Sequence, residues 1–184
     1  MKEIFERIAS DTTQKKQVVS LAKKLVKKFS VKSGSDLEKL KDLCYWLYVQ
    51  DQKDKSILVC EIVDQVSFEN DFNIWTWIES IIALHIRIMR EQNDIEKVEI
   101  YRTKLMTSYK EDPKLLSEIL NGSGLYDDEI KSDENDGDEK GANTWRFLQL
   151  NQLCLMRELG GSSTYPIDKI DREIERLITL LKNL

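Results

Sequence analysis

Histidine and cysteine are the usual residues for nucleophilic catalysis and zinc binding, and this sequence holds few of them. It contains one histidine, His85, and three cysteines, Cys44, Cys60 and Cys154. One histidine cannot form a multi-histidine zinc site, and Cys44 lies 16 positions before Cys60, which is not a zinc-ligand spacing. A nucleophilic pair of His85 with a cysteine stays open, although no local sequence marks a reactive thiol.

Carboxylates and glycine-rich loops, which carry much other chemistry, give no stronger signal. Catalytic carboxylates must face each other in a cleft, and the most apolar stretch of the chain offers only Glu79 and Glu91. Residues 132–137 place a glycine sixth, as a calcium loop does, but Ser132 and Asn143 replace its ligating acids. No glycine-rich phosphate loop occurs. We therefore predict no metal, no cofactor and no enzymatic activity, with a Cys- or Glu-dependent enzyme as the remote alternative.

Two segments of opposite charge stand out along the chain. Residues 12–34 contain seven lysines and no acid, whereas residues 127–140 contain eight acids and two lysines. Because the basic segment has no arginine, it disfavours nucleic-acid binding, and we expect its lysines to solubilise a helix. The acidic segment predicts a flexible loop over residues 122–141, of which residues 126–141 are dispensable for folding. The alternative is an acidic arm that binds a basic partner.

The scarcity of turn residues predicts an all-α fold. Only Gly34 and Pro113 interrupt the first 121 residues, and apolar residues recur at helical spacing. We expect one domain, residues 1–184, of seven to nine helices, with the acidic loop between helical parts 12–121 and 142–184. Residues 73–92 are apolar on more than one face, which predicts the central helix.

The cellular location is predicted from the lack of a membrane-spanning segment and of a signal peptide, and from the spacing of the cysteines. No apolar run approaches the ~18 residues of a membrane span, and residues 1–7 lack the apolar core of a signal peptide. The three cysteines follow no disulfide pattern. We therefore expect a cytoplasmic protein that does not contact a membrane.

An internal repeat relates the predicted helix pairs. Residues 47–56 align with residues 89–98 at an offset of 42, and both predict a helix end, a tight polar turn and a new helix. Residues 155–158 repeat residues 88–91 before a longer turn that contains two glycines. The chain is therefore predicted to form helical hairpins with related connections.

Over residues 37–110 and 143–182 the chain resembles tetratricopeptide-type helical hairpins. It departs from that family at Tyr48 and Arg90, which occupy positions where the family has a small residue. The resemblance implies an irregular stack of antiparallel hairpins with a groove that binds another polypeptide.

The tryptophans supply the last candidate contacts. Trp75 and Trp77 are two residues apart on the predicted central helix, so one should pack in the core and the other should border the surface. We predict a non-enzymatic polypeptide-binding protein, specifically an immunity or inhibitor protein that neutralises a basic toxin domain. The alternative is a helical-repeat adaptor that binds a peptide in its groove. The predicted contact residues are Trp75, Trp77, Asp127, Asp128, Glu129, Asp133 and Glu134.

Overall fold

The computed structural model describes residues 1–184 and contains ten α-helices, one short 3-10 helix and no strand. The all-α prediction is confirmed. The helices are α1 (Lys2–Ser10), α2 (Lys16–Lys27), α3 (Gly34–Val49), α4 (Lys53–Cys60), α5 (Phe72–Glu91), α6 (Ile95–Glu111), α7 (Pro113–Leu120), α8 (Asp127–Asp136), α9 (Glu139–Glu158) and α10 (Ile167–Lys182). There is one helix more than the upper predicted number, because α1 and α8 lie where the sequence predicts none.

The chain divides into two compact units, Met1–Tyr101 and Arg102–Leu184. Nothing in the sequence marks this division, which falls within α6. None of the ten helices combines the length and the apolarity that crossing a membrane requires.

Helices α3 and α5 form the centre of the first unit. Helix α3 packs against α2, α4 and α5, while α1 packs on α2 and α4 packs on α5. From Ile78 to Met89 every residue of α5 except Ser80 is buried. The helix predicted as central is therefore enclosed on several sides, and it includes the buried charged residues Glu79 and Arg87.

The repeated turns share one backbone arrangement. Asp51 and Asn93 have φ angles of 62° and 60°, in the left-handed region. The N–H of Asp51 donates to the carbonyl of Tyr48, and the next N–H donates to Leu47, both at 2.9 Å. The same two hydrogen bonds recur at Asn93, and at Gly160, where φ is 109°. This pair of bonds is the Schellman motif, so the three aligned segments end their helices in the same way.

In the second unit, α9 packs against both α8 and α10. The predicted loop at residues 122–141 is therefore wrong over Asp127–Asp136, which form α8. Acids in its first turn interact favourably with the helix dipole. Gly137, at φ 73°, ends the helix, and Ile130 is only 5% exposed. One buried apolar side chain, the acids of the first turn and a glycine at the C-terminal end thus favour a helix in a segment whose composition predicts disorder.

Candidate functional site

A cleft of about 610 Å³ lies in the second unit. Its apolar lining comes from the chain before α8, from α9, from the segment that leads into α10 and from α10 itself, through Leu125, Leu153, Tyr165 and Ile170. The volume falls within the range of ~300–1,000 Å³ that is common for ligand sites. An apolar lining beside charged groups suits an amphipathic ligand such as a peptide segment.

Helix α10 contributes a charged wall to this cleft. Lys169, Arg172, Glu173 and Arg176 line it, and their spacing of three and four residues places them on one helix face. Arg176 donates to both carboxylate oxygens of Glu173, with the closest contact at 2.7 Å, and this pairing raises the pKa of Arg176. Arg172 contacts only the exposed Asp168, at 3.2 Å. The wall carries three cations and one anion, so it favours a ligand with an acidic group.

Asp127 contributes a second carboxylate to the lining of the cleft. The amide Nε2 of Gln149 donates to Asp127 Oδ1 at 2.8 Å, and its Oε1 accepts the N–H of Tyr126 at 2.7 Å. Gln149 is only 2% exposed, so a buried amide holds the exposed Asp127 and the backbone of the half-buried Tyr126. The first residue of α8 is thereby fixed at the edge of the cleft.

Arg146 holds the rest of α8 against α9. The guanidinium group donates to Glu134 from one terminal nitrogen and to Glu139 and Asn143, each at 2.6 Å, from the other. Burial alone would lower the pKa of Arg146, but its hydrogen bonds to Glu134 and Glu139 prevail and raise it. A planar, permanently charged fork suits two carboxylates, whereas an ammonium group does not offer this geometry.

The predicted acidic contact residues separate into two groups. Asp127 and Glu134 are engaged with Gln149 and Arg146, on the side of α8 that also carries Ile130. Asp128 and Glu129 are exposed on the other side, together with Asp136, and Asp133 is half-buried. The outward side of α8 is therefore acidic and accessible.

The two predicted tryptophan contacts differ in exposure. Trp75 is 2% exposed and packs against Phe68, with ring centroids 5.3 Å apart. Its burial removes it from the accessible contact residues. Trp77 is half-buried, and the Nζ atom of Lys41 lies 5.3 Å from its ring centre. Of the pair, Trp77 is the one that borders the surface, as the spacing indicates for one of them.

The structure also brings Cys44 close to Cys60. The two residues stand at similar distances from the turn at Asp51, so the α3–α4 hairpin places them opposite each other. Burial raises the pKa of the Cys44 thiol, and a hydrogen bond with Cys60 adds to this effect. Both thiols are buried and neither lines the cleft, so they have the character of packing residues.

The buried His85 lies beside two half-buried polar residues, Asp64 and Tyr101, in the first unit. Its ring lies against Tyr101 with centroids 4.3 Å apart, and its Nδ1 is 3.8 Å from Asp64 Oδ1. Tyr101 donates to Asp64 Oδ2 at 2.7 Å, and burial followed by this contact raises the tyrosine pKa. No group of three or more His, Cys, Asp or Glu side chains is arranged to hold a metal ion.

The cleft itself was missed from the sequence except for Asp127. Its residues come from three separate segments, at positions 125–127, 149–153 and 165–176. The signal that could have found it is the charge pattern of α10, where Lys169, Arg172, Glu173 and Arg176 share one face and leave Ile174 and Leu177 to the core.

The chain belongs to DUF6707, a family of unknown function that matches residues 1–183. Comparison with curated proteins and with solved structures gave no match.

Proposed function

We propose that this DUF6707 protein is a non-enzymatic polypeptide-binding protein of the cytoplasm, and that the cleft of its second unit holds a segment of the partner. The observation that carries the proposal is the combination of an apolar lining with charges of both signs at one cleft of about 610 Å³. A peptide supplies both kinds of group along a short stretch of chain.

The chemistry of the cleft supports binding over catalysis. Its two carboxylates already accept hydrogen bonds, Asp127 from Gln149 and Glu173 from Arg176. A general base needs a carboxylate that is free to take a proton from the substrate. The arrangement instead presents fixed charges, which select and orient a ligand.

In its narrower form the proposal is an immunity or inhibitor protein for a basic toxin domain. The outward side of α8 supports this form, because Asp128, Glu129 and Asp136 would attract a basic protein and speed its association. Trp77, in the first unit, remains a proposed contact. The alternative is an adaptor that binds peptide segments of several proteins in the same cleft.

The test is surface plasmon resonance of the purified protein against the product of the gene beside its own. We expect Arg172→Glu to weaken binding at least tenfold through faster dissociation, because Arg172 lines the cleft and its only ion pair is an exposed one. We expect Asp128→Asn with Glu129→Gln to slow association and to flatten its salt dependence.

The matched control is Lys114→Glu, which reverses a charge on a side chain that is 86% exposed and does not line the cleft. Absence of binding to the neighbouring gene product would rule out the immunity form. Binding that Arg172→Glu leaves unchanged would rule out the cleft as the site.

A further inference from the structure

Helix α2 carries four lysines on its outward side. Val18, Ala22 and Leu25 are buried on the inner side, whereas Lys16, Lys23, Lys24 and Lys27 are exposed on the other. These four residues are called the lysine side below. None of their ammonium groups has an acidic partner within the structure. Four neighbouring like charges repel one another, so an anionic partner would relieve this repulsion.

The outward side of α8 has the opposite charge. Asp128, Glu129 and Asp136, called the acidic side below, are exposed and form no ion pair. Hydrogen bonds from Gln149 and Arg146 fix the opposite face of α8 on its own unit. The acidic side is therefore part of an ordered helix and not of a flexible loop.

The two sides are also of comparable length. Each is one face of a helix, and at ~1.5 Å per residue the lysine side is about 16 Å long and the acidic side about 12 Å long. Because every chain carries both sides, the α2 helix of one copy can meet the α8 helix of another.

We propose that the lysine side of α2 docks the acidic side of α8 from a second copy of this chain. Exposed ion pairs are individually weak and are screened by salt, so the association should appear at low ionic strength and vanish at high ionic strength. The acidic side also belongs to the proposed partner-binding surface, so a second copy would compete with a basic partner there.

The experiment is sedimentation velocity of the protein alone over a range of concentrations, at about 20 mM and about 300 mM salt. We expect concentration-dependent dimers at low salt only. Lys23→Glu with Lys27→Glu should raise the dissociation constant at least tenfold, and so should Asp128→Lys with Glu129→Lys. An equimolar mixture of these two variants should associate again, because the unaltered α2 of one variant then meets the unaltered α8 of the other.

The matched control is Lys110→Glu with Lys114→Glu. It changes the net charge as much as the α2 variant does, at exposed lysines outside both sides. Far-UV circular dichroism is the check that each variant is folded. A wild-type protein that stays monomeric at low salt overturns the proposal, and so do variants that associate as the wild type does. Because no partner is present, this outcome is separate from that of the proposed function.

Discussion

Asp51 and Asn93, 42 residues apart, occupy the same position in two copies of one helix-ending turn. Their φ angles are 62° and 60°, and each N–H, with the one after it, closes the preceding helix. Aspartate and asparagine are among the few non-glycine residues that adopt this conformation readily. The two copies of the sequence repeat therefore share the need for a residue that adopts a positive φ angle at the end of the helix.

The turn at Asn93 can be tested by substitution. Asn93→Val should lower the free energy of unfolding by about 1 kcal/mol, because a β-branched side chain is strained at positive φ. Asn93→Gly should stay within about 0.5 kcal/mol of the wild type. Urea unfolding measures both. The control is Gln92→Val in the same turn, where φ is -88°, and an equal loss there would contradict the assignment.

The sequence predicted these helix ends because turn residues act locally. It did not predict α8, because composition alone does not reveal that Ile130 is buried. Nor does it reveal that Glu134 accepts a hydrogen bond from Arg146, 12 residues further along the chain. The cleft escaped prediction for a similar reason, since three separate segments form it. For Trp75 and Trp77 the spacing predicted opposite surroundings, but only packing determines which one is buried.

Replacing Arg146 tests how α8 is held. Arg146→Lys should lower the free energy of unfolding by about 1–2 kcal/mol, because lysine cannot bond Glu134 and Glu139 with a planar fork. Amide hydrogen exchange in Asp127–Asp136 should accelerate more than exchange elsewhere. Arg172→Lys is the control, since its side chain is 76% exposed. Unchanged exchange in α8 would show that Arg146 does not hold it.

Ile130 is the apolar anchor of the acidic helix. Ile130→Ala should cost about 2 kcal/mol, as loss of a buried isoleucine usually does, whereas Ile95→Ala, at a position 59% exposed, should cost little. Replacing residues 126–141 by a Gly/Ser linker should therefore lower the melting temperature, in contrast to the expectation from composition. A melting temperature that stays the same would restore the dispensable-loop interpretation.

Asp11 should make stability depend on pH in the acid range. Its carboxylate accepts from Lys55 at 2.7 Å and from Thr13, and these bonds, Lys55 first, hold its pKa well below the ordinary 3.8. A carboxyl group whose pKa is depressed by folding stabilises the fold above its unfolded pKa, and this contribution is lost as the pH falls.

Asp11→Asn removes this contribution. The difference in unfolding free energy between wild type and variant should be constant above about pH 5 and should shrink below about pH 4. Urea midpoints across this range measure it. Asp128→Asn, at an exposed acid without a partner, should show no such trend. A difference for Asp11→Asn that is independent of pH would contradict the assigned interaction with Lys55.

Tyr48 occupies a position where tetratricopeptide-type hairpins have a small residue. The hydroxyl group of Tyr48 links two helices. It donates to Glu91 Oε1 at 2.6 Å and accepts from Arg87 Nε at 2.7 Å, which joins α3 to α5. Tyr48→Phe should lower the free energy of unfolding by about 1.5–3 kcal/mol, as for hydrogen bonds to charged groups. In a double-mutant cycle with Glu91→Gln we expect a coupling of at least about 0.5 kcal/mol.

Tyr45→Phe is the matched control for this network. Tyr45 also lies on α3 and is buried, but its hydroxyl group donates to a neutral acceptor, the carbonyl of Ser80, at 3.0 Å. Its loss should cost about 1 kcal/mol, less than the loss at Tyr48, because a neutral hydrogen bond contributes less than a charged one. Equal losses in urea unfolding, or additive effects in the cycle with Glu91, would show that the charged network does not couple α3 to α5.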